Sequence, residues 1–581
     1  MLSGVLRSSP VKMQRAVTTA AHESFKPGML AHLAGLKRVP EMNGKAVELQ
    51  SFDFDANKWV VRVDDMDFNV KPENLFLPTE VKKAAAVVHK MQKPTVKPTL
   101  TQLLINGQWV NSETGKTFET IDPRTEEKIC DFQAAGPADV RKAISAARDA
   151  FDNGPWPRMS AYERSRKLHK LADLIEENTE YLAQLETLDN GKPLFYSRNA
   201  DIPFSVSHFR YFAGWADKVT GSTIPHSTVQ GTHFAYTLKE PLGVIGQIIP
   251  WNFPFLMAAW KLGPALATGN TVVLKPSEKT PMTAMELGRL ALEAGIPEGV
   301  LNVVPGLGPE AGEALVTSEL VNKIAFTGSV NTATRIQQLA GIKPLTYELG
   351  GKSPAIVFGD ADIDHAVETI HNGIFFNHGQ CCCASSRIFV HASIYDEFVE
   401  KSIKRANQRQ VGDPFATVDQ GPQVDKIQFD KIMGYIKEGQ DSGLTLAAGG
   451  ARKFDTGFFI EPTIFVDMPD SSKLMKEEIF GPVMGITKFR SESEVLRRAN
   501  DSKYGLAAGV FTESLDTAMR VSRHLQAGTI WINTYNVFDD AAPFGGYKES
   551  GVGREKGQEA LSNYLATKCV TMPIKGDPKW L

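Results

Sequence analysis

Between residues 242 and 348, short apolar runs alternate with amphipathic stretches, and this pattern limits the folds open to the chain. It predicts strands at 243–249, 271–275, 301–304, 323–326 and 345–348, with helices between them at 255–268, 281–294, 309–317 and 329–340. Strands joined by right-handed helical crossovers run parallel to one another. We therefore predict an α/β fold with a doubly wound, Rossmann-like sheet, whose ligands lie at the carboxyl ends of the strands. Asn252, Lys275, Gly328 and Glu348 all fall there.

The composition excludes several classes of protein. A net charge of −3 favours neither a nucleic-acid-binding protein nor an acidic disordered chain. The apolar stretches are too short, or too often broken by proline and glycine, to cross a membrane. Five cysteines in 581 residues do not make a disulfide framework and are typical of a reducing compartment.

Three of those cysteines, Cys381, Cys382 and Cys383, are adjacent. Neighbouring cysteines rarely meet disulfide geometry, which needs Cα atoms roughly 4.4–6.8 Å apart with converging Cβ atoms. No second Cys or His cluster has the spacing of metal ligands, so we predict no metal site. Two interpretations remain: a buried structural run, or a run that contains a nucleophile.

Two other segments supply an amide and a carboxylate in turns shaped by glycine or proline: Ile-Ile-Pro-Trp-Asn-Phe-Pro at 248–254 and Thr-Tyr-Glu-Leu-Gly-Gly-Lys-Ser-Pro at 346–354. With the cysteine run, they resemble the signatures of the NAD(P)-dependent aldehyde dehydrogenase superfamily, in particular its tetrameric class 1 and class 2 branch. The resemblance covers about residues 100–575. It implies oxidation of an aliphatic or aryl aldehyde to the carboxylic acid, with NAD as the cofactor.

The resemblance also implies catalytic roles. Cys382 would attack the aldehyde to give a thiohemiacetal and then a thioester. The side-chain amide of Asn252 and the backbone N–H of Cys382 would stabilise the oxyanion. Glu348 would activate the water that hydrolyses the thioester. Cys381 and Cys383 would form the wall. Two alternatives stay open: an inert scaffold or binding protein on this fold, and a betaine-aldehyde-type dehydrogenase.

For the cofactor, the segment Phe326-Thr327-Gly328-Ser329 ends a strand and opens a helix, which suits a phosphate. A second glycine usual in the family is Ala333 here. Glu278 would chelate a free ribose diol and repel a 2′-phosphate, so it favours NAD over NADP. The glycines at 306, 308 and 312 are interpreted as mainly structural, because the third comes one residue late. The predicted cofactor contacts are Ile248, Pro250, Trp251, Lys275, Glu278, Gly308, Phe326, Gly328, Ser329, Leu349, Glu478 and Phe480.

By the same resemblance, an apolar tunnel would hold the substrate. Its predicted residues are Phe253, Met257, Trp260, Phe376, Tyr535 and Phe538. Aromatic and soft apolar side chains favour aliphatic or aryl aldehydes over charged ones. Asn536 and the pair Asp539-Asp540 depart from the commonest class 2 pattern, which leaves the preferred chain length open.

The ends of the chain carry further expectations. Residues 1–22 contain Arg7, Lys12 and Arg15 and no acidic residue, which is typical of a transit peptide and of the mitochondrial matrix, with the cytoplasm as the alternative. Residues 26–78 predict a small β-barrel of the Src-homology-3 kind, which could bind a protein partner or pack on the enzyme. Residues 79–100 predict a helix-capable spacer that ends in a stiff linker.

The remaining boundaries follow from the pattern and the resemblance together. The NAD-binding domain would comprise residues 101–221 and 242–349, with amphipathic helices at Ala138–Phe151 and Ser160–Gln184. The catalytic domain would comprise residues 350–555. Residues 222–241 and 556–581 would be oligomerisation segments, since the hairpin pairs across subunits in the family and a protruding β-edge needs a partner. They imply a homo-oligomer, either a tetramer or a dimer.

Overall fold

The computed structural model describes Met91, residues 94–225 and 233–575, and five strands between residues 30 and 76. The chain divides into two units, residues 1–91 and 92–581. The predicted transit peptide and most of the predicted linker lie outside the described residues. Residues 94–100 have no regular secondary structure, but Val96 is buried and the hydroxyl of Thr95 donates to Oε1 of Gln184 at 2.8 Å. This stretch therefore packs within the second unit.

The first unit contains five antiparallel strands, namely β1 (Leu30–Leu33), β2 (Ala46–Asp53), β3 (Lys58–Val63), β4 (Met66–Val70) and β5 (Leu75–Phe76). Their order in the sheet is β4-β3-β2-β1-β5. The connections between these strands lie outside the described residues. The small barrel therefore stays a prediction.

The strands of the second unit are β6 (Leu103–Ile105), β7 (Gln108–Val110), β8 (Thr117–Ile121), β9 (Lys128–Gln133), β10 (Thr223–Ile224), β11 (His233–Pro241), β12 (Val244–Ile248), β13 (Thr271–Lys275), β14 (Leu301–Val303), β15 (Lys323–Thr327), β16 (Leu345–Glu348), β17 (Ser353–Val357), β18 (Ser385–His391), β19 (Thr445–Ala448), β20 (Thr463–Val466), β21 (Val483–Phe489), β22 (Ala507–Phe511), β23 (Thr529–Ile532), β24 (Gly551–Val552) and β25 (Leu565–Pro573).

Its α-helices are Pro137–Asp152, Ala161–Glu177, Thr179–Asn190, Leu194–Tyr196, Ile202–Trp215, Pro254–Ala267, Met282–Glu293, Glu313–Thr317, Val330–Leu339, Ile363–Phe375, Tyr395–Gln408, Lys426–Asp441, Lys473–Lys476, Glu492–Asn500, Leu515–His524 and Glu559–Ser562. Short 3₁₀ turns lie at Trp156–Arg158, Phe376–Gly379 and Lys548–Ser550. Single π turns lie at Ser197–Asp201 and Gly308–Gly312. None of the described helices is long and apolar enough to cross a membrane.

The larger sheet has the order β24-β16-β15-β12-β13-β14-β6-β7. Its five central strands, β16 to β14, are all parallel, and β24, β6 and β7 extend it in the antiparallel sense. The chain runs outwards from β12 in both directions, so the strand order reverses between β12 and β15. The predicted doubly wound α/β fold is confirmed, and ligand sites in such sheets lie at this reversal.

A second sheet follows directly, with the order β19-β20-β21-β18-β17-β22-β23. All neighbours in it are parallel except β19 and β20. Since β16 ends at Glu348 and β17 begins at Ser353, one short turn joins the two sheets. Side chains in that turn can therefore reach groups carried by either sheet.

The buried helix Pro254–Ala267 determines where the loop before it lies. Every residue of this helix is buried, and Pro254 occupies its first position, where the missing N–H removes no helical hydrogen bond. Packing on all sides holds the helix in place. The preceding loop of Trp251, Asn252 and Phe253 is therefore held at the carboxyl end of β12.

A third, smaller sheet combines the two predicted oligomerisation segments, in the order β10-β11-β25. Strands β11 and β25 pair antiparallel from His233 with Pro573 to Pro241 with Leu565. Phe234, Leu238 and Met572 are each at least 40% exposed on this sheet. Apolar side chains on a two-sided, solvated sheet suit an interface with another chain.

Two predicted helices differ from those observed. The predicted helix Ser160–Gln184 is two helices separated at Asn178, whose side-chain amide donates to the carbonyl of Leu174 at 2.7 Å. Asparagine side chains compete in this way with the backbone hydrogen bonds of a helix. The predicted helix 309–317 begins as the π turn and becomes an α-helix only at Glu313.

Candidate active site

A cleft of about 590 Å³ lies where β12, β15 and β16 end, and Asn252, Glu348 and Cys382 all line it. The predicted cofactor contacts that line the cleft are Pro250, Trp251, Gly328, Ser329, Leu349, Glu478 and Phe480. The whole predicted substrate set lines it too: Phe253, Met257, Trp260, Phe376, Tyr535 and Phe538. Three segments that are distant in the sequence thus meet at one opening.

Five predicted cofactor contacts do not line this cleft: Ile248, Lys275, Glu278, Gly308 and Phe326. Ile248 and Phe326 belong to strands β12 and β15. Gly308 begins the π turn. Lys275 ends β13, and its ammonium lies 3.6 Å from a carboxylate oxygen of Glu278. Lys275 and Glu278 therefore form a separate polar pair one strand away from the cleft.

Cys382 is the member of the cysteine run that is partly exposed in the cleft, whereas Cys381 and Cys383 are buried. The thiols of Cys381 and Cys383 lie 3.4 Å apart, and the thiol of Cys383 donates to Oδ1 of Asn536 at 3.6 Å. The hydroxyl of Tyr535 donates to the carbonyl of Cys383 at 2.7 Å. These contacts hold the outer two cysteines in the wall and leave the middle one facing the cleft.

The three thiols are close enough to ionise as one cluster. The hydrogen bond with Cys381 raises the pKa of Cys382, and burial acts in the same direction. The thiolate is the attacking form, so the proton of Cys382 must leave before or as the sulfur attacks.

The loop that carries Asn252 is anchored by other amides. Nδ2 of Asn377 donates to the carbonyl of Asn252 at 2.8 Å, and Nδ2 of Asn190 donates to the carbonyl of Trp251 at 2.8 Å. The side-chain amide of Asn252 donates one hydrogen to the carbonyl of Gln380 at 3.1 Å. Its amide group is thus held beside the cysteine run, as a positioned donor requires.

Glu348 ends β16 and is buried. Burial raises the pKa of its carboxyl group well above the usual range, and the nearby Glu555 adds to the effect, whereas Lys261 opposes it. Its Oε2 has no hydrogen-bond partner among the described residues. A raised pKa makes the ionised carboxyl group a stronger base, and its free oxygen can accept a proton from water.

Lys261 and Glu555 form a buried ion pair close to Glu348 that we did not predict. The ammonium of Lys261 also donates to the hydroxyl of Thr327 at 2.6 Å. One signal was available, because Lys261 is the charged residue of a helix that is otherwise apolar. Its partner Glu555 carried no such signal, since it lies on a loop 294 residues further along the chain.

Polar groups suited to a nucleotide lie on one side of the cleft. Ser329 caps the helix Val330–Leu339, whose first N–H groups and positive terminus suit a phosphate. The carboxylate of Glu478 accepts from the backbone N–H of Gly351 at 3.0 Å, and burial raises the pKa of Glu478 to about 7. A Cβ at Gly350 would lie 2.3 Å from that carboxylate, so a larger residue there would displace Glu478. Ala333 is buried in the neighbouring core.

Several residues that line the cleft were not predicted. They include Ala200, Phe204, Asn372, Gln428, Lys431, Asn536, Phe544, Glu555 and Lys556. The sequence marked Asn536 only as a departure from the class 2 pattern, and the other residues reach the cleft through the tertiary fold. No cluster of three or more histidine, cysteine or acidic residues that could hold a metal ion occurs in the described part of the chain.

Comparison with known proteins defines the class to which this site belongs. Residues 109–570 match the aldehyde dehydrogenase family. The chain therefore belongs to the aldehyde dehydrogenase family, and the resemblance noted from its motifs is confirmed.

Individual relatives agree with that assignment. The chain is 56% identical over 502 residues to the mitochondrial aldehyde dehydrogenase family 2 member B4 of Arabidopsis thaliana, covering 86% of this chain and 93% of the relative. It is 54% identical to the mitochondrial benzaldehyde dehydrogenase of Antirrhinum majus, with the same coverage. The NAD⁺ complex of an aldehyde dehydrogenase from Bacillus cereus superposes with a TM-score of 0.81 at 48% identity, covering 82% of this chain and 97% of that one.

Proposed function

We propose that this protein oxidises aliphatic or aryl aldehydes to carboxylic acids with NAD. The observation that carries the proposal is that Cys382, Asn252 and Glu348 line one cleft, beside a groove with groups suited to a nucleotide. Family membership supports it, and so do relatives named aldehyde dehydrogenase and benzaldehyde dehydrogenase.

Cys382 begins the reaction by attacking the carbonyl carbon, and its thiol proton passes to water in the cleft. The oxyanion of the thiohemiacetal accepts hydrogen bonds from the side chain of Asn252 and the backbone N–H of Cys382. One such donor contributes about 10²–10³ in rate. After oxidation, the acyl group remains on the sulfur as a thioester. Glu348 then takes a proton from the water that hydrolyses it, and the carboxylic acid is released.

The cofactor fits the residues that are present. The N-terminus of helix Val330–Leu339, with Gly328 and Ser329, offers N–H donors to the pyrophosphate. Glu278 can accept from both hydroxyls of the adenosine ribose, and Lys275 can donate to them. Glu478 and Phe480 would hold the nicotinamide half. NAD, when bound, supplies the hydride acceptor.

The substrate set forms an aromatic wall. The rings of Phe253 and Phe376 stack at 5.8 Å, and that of Trp260 lies 5.5 Å from Phe544 and 6.2 Å from Phe538. Such a wall binds apolar chains and rings. A betaine aldehyde is disfavoured, because the ammonium of Lys556 lies 5.0 Å from the Trp260 ring and would repel a quaternary ammonium there.

The experiment is to follow NADH formation with propanal and with benzaldehyde. Cys382→Ala should abolish the activity, whereas Cys569→Ala, at an exposed thiol, should not change it. Glu348→Gln should keep a single burst of NADH and lose steady turnover, because only deacylation then lacks its base. Unchanged activity in Cys382→Ala would reject the nucleophile. Absence of turnover over a broad aldehyde panel would favour the scaffold alternative.

We also propose that the protein acts in mitochondria as a homo-oligomer. The two named relatives are mitochondrial. The exposed apolar side chains of the β10-β11-β25 sheet support an interface with a second copy, and the family branch suggests a tetramer. Removal of residues 1–22 from a fluorescently tagged full-length chain should leave the protein in the cytosol. The N-terminal strands are proposed as a separate domain that could hold a protein partner.

A further inference from the structure

Lys556 is a charged residue in the aromatic part of the cleft. It lines the cleft, although only 5% of its side-chain surface is exposed. Its ammonium lies 5.0 Å from the ring centroid of Trp260 and 5.7 Å from that of Phe538. Both rings belong to the predicted substrate tunnel. An aldehyde that packs against these rings therefore extends towards a buried cation.

The backbone fixes the position of Lys556. Its φ angle is 60°, a left-handed conformation that residues other than glycine seldom adopt. Phe544 and Glu555 exchange two backbone hydrogen bonds at 2.7 Å, and the N–H of Gly557 donates to the carbonyl of Asp540 at 2.8 Å. The structure holds Lys556 in place despite the strain, and strain of this kind is concentrated at functional positions.

The ammonium has a counter-ion that lies outside the cleft lining. Oδ1 of Asp540 is 3.5 Å from Nζ of Lys556, a long ion pair, and Asp540 is not among the residues that line the cleft. The carboxylate of Asp540 already accepts from Nδ1 of His208 at 2.9 Å and from the hydroxyl of Ser207 at 2.5 Å. Asp540 is thus shared among three groups. Because an ammonium has three N–H donors, this one shared carboxylate does not satisfy the ammonium of Lys556.

Burial also leaves the ammonium short of solvation. Desolvation lowers the pKa of Lys556, and Asp540 offsets this effect only in part. A buried charge is costly unless its hydrogen bonds are satisfied. An anionic oxygen that enters the cleft would satisfy them.

We propose that Lys556 determines specificity by binding a carboxylate at the end of the substrate remote from the aldehyde, so that the protein prefers oxo acids and carboxylated aryl aldehydes over their uncharged counterparts. This inference rests on the proposed function and names the substrate class of the same site. The carbon chain or ring would lie against Trp260 and Phe538, between Cys382 and Lys556. Asp540 would orient the ammonium from behind.

The test compares kcat/KM for 4-carboxybenzaldehyde and benzaldehyde, and for a series of straight-chain oxo acids and the alkanals of equal length. The wild-type protein should prefer the carboxylated member of at least one pair by about tenfold or more, the usual contribution of a hydrogen bond to a charged group. Lys556→Met should remove that preference, and Lys556→Arg should retain part of it. Asp540→Asn should reduce the preference, because the ammonium loses the carboxylate that orients it and favours its charged form.

A purely structural role for Lys556 gives a different result. Loss of the ion pair would then lower kcat/KM equally for both aldehydes of each pair. The ratio of the two kcat/KM values would keep its wild-type value in Lys556→Met and in Asp540→Asn. Lys437→Met is the matched control, because Lys437 pairs with Asp441 on the surface; its ratio should equal that of the wild type. Turnover of benzaldehyde with no preference for any carboxylated partner would overturn this inference alone. No turnover of any aldehyde would instead overturn the proposed function.

Discussion

Gly545 leaves the space that the carboxyl group of Glu348 occupies. A Cβ atom at Gly545 would lie 2.8 Å from Oε1 of Glu348 and 2.8 Å from the carbonyl oxygen of Gly553. The backbone oxygen cannot move away easily, and a φ of 158° is unfavourable for alanine, so the backbone at Gly545 and the carboxyl group of Glu348 would both have to shift. The glycine in the segment Pro-Phe-Gly-Gly at 543–546 thus contributes to the site by its lack of a side chain.

We therefore expect Gly545→Ala to slow deacylation. Steady-state kcat should fall by about 10²-fold, since a displaced general base loses much of its effect. The burst of NADH in the first turnover should decline much less. Stopped-flow absorbance separates the two phases. Gly214→Ala is the control, because a Cβ there meets no atom within 4 Å and Gly214 does not line the cleft. An equal loss in both phases would contradict this role for Gly545.

Glu278 should decide between NAD and NADP. Its carboxylate is 38% exposed, next to the buried ammonium of Lys275. A 2′-phosphate would be repelled by the carboxylate and attracted by the ammonium. Glu278→Gln should raise KM for NAD and lower KM for NADP, with kcat for NAD changed little. Steady-state kinetics with both cofactors measures this. A wild-type protein that prefers NADP would refute the assignment.

Lys323 should make stability depend on pH. Burial lowers its pKa to about 7, and the charge of Lys261 adds to this effect. The unfolded chain, with a lysine pKa near 10.5, binds more protons than the folded one between pH of about 7 and 10.5. The contribution of Lys323 to the free energy of unfolding therefore rises with pH in that window, by at most about 1.4 kcal/mol per pH unit.

The variant Lys323→Met removes this dependence. Its Tm relative to the wild type should be highest at pH 6 and should fall steadily up to pH 9, as followed by differential scanning fluorimetry. Lys437→Met, at an exposed lysine, should show a constant difference. If the Tm difference between Lys323→Met and the wild type did not vary with pH, burial would not lower the pKa of Lys323.

The β10-β11-β25 sheet should hold the oligomer together. Leu238 is exposed on β11 and lies opposite Lys568 of β25, so Leu238→Glu places a favourable charge pair within the chain but a charge in the interface. We expect a smaller assembly by light scattering, with the fold kept by circular dichroism. Ile427→Glu, on an exposed surface helix, should leave the mass unchanged. An unchanged mass for Leu238→Glu would exclude this sheet as the main contact.

Much of this protein can be predicted from its sequence alone, where the signal is local. Alternating apolar runs and amphipathic stretches predicted all five parallel strands of the cofactor sheet, since strand and helix periodicity act over a few residues. The family resemblance predicted that Asn252, Glu348 and Cys382 would act together, and the fold brings them to one cleft. The break at Asn178 was missed, because one side-chain hydrogen bond outweighed a continuous apolar pattern.

Only the tertiary structure decided which charged groups stand around these residues. Lys261 meets Glu555, and Lys556 meets Trp260 and Asp540, across long stretches of chain that carry no shared pattern. The burial of these charges, and hence the raised pKa of Glu348, depends on how helices and loops pack over the ends of the sheet. Periodicity reports the neighbours of a residue along the chain, whereas desolvation and ion pairing depend on its neighbours in space.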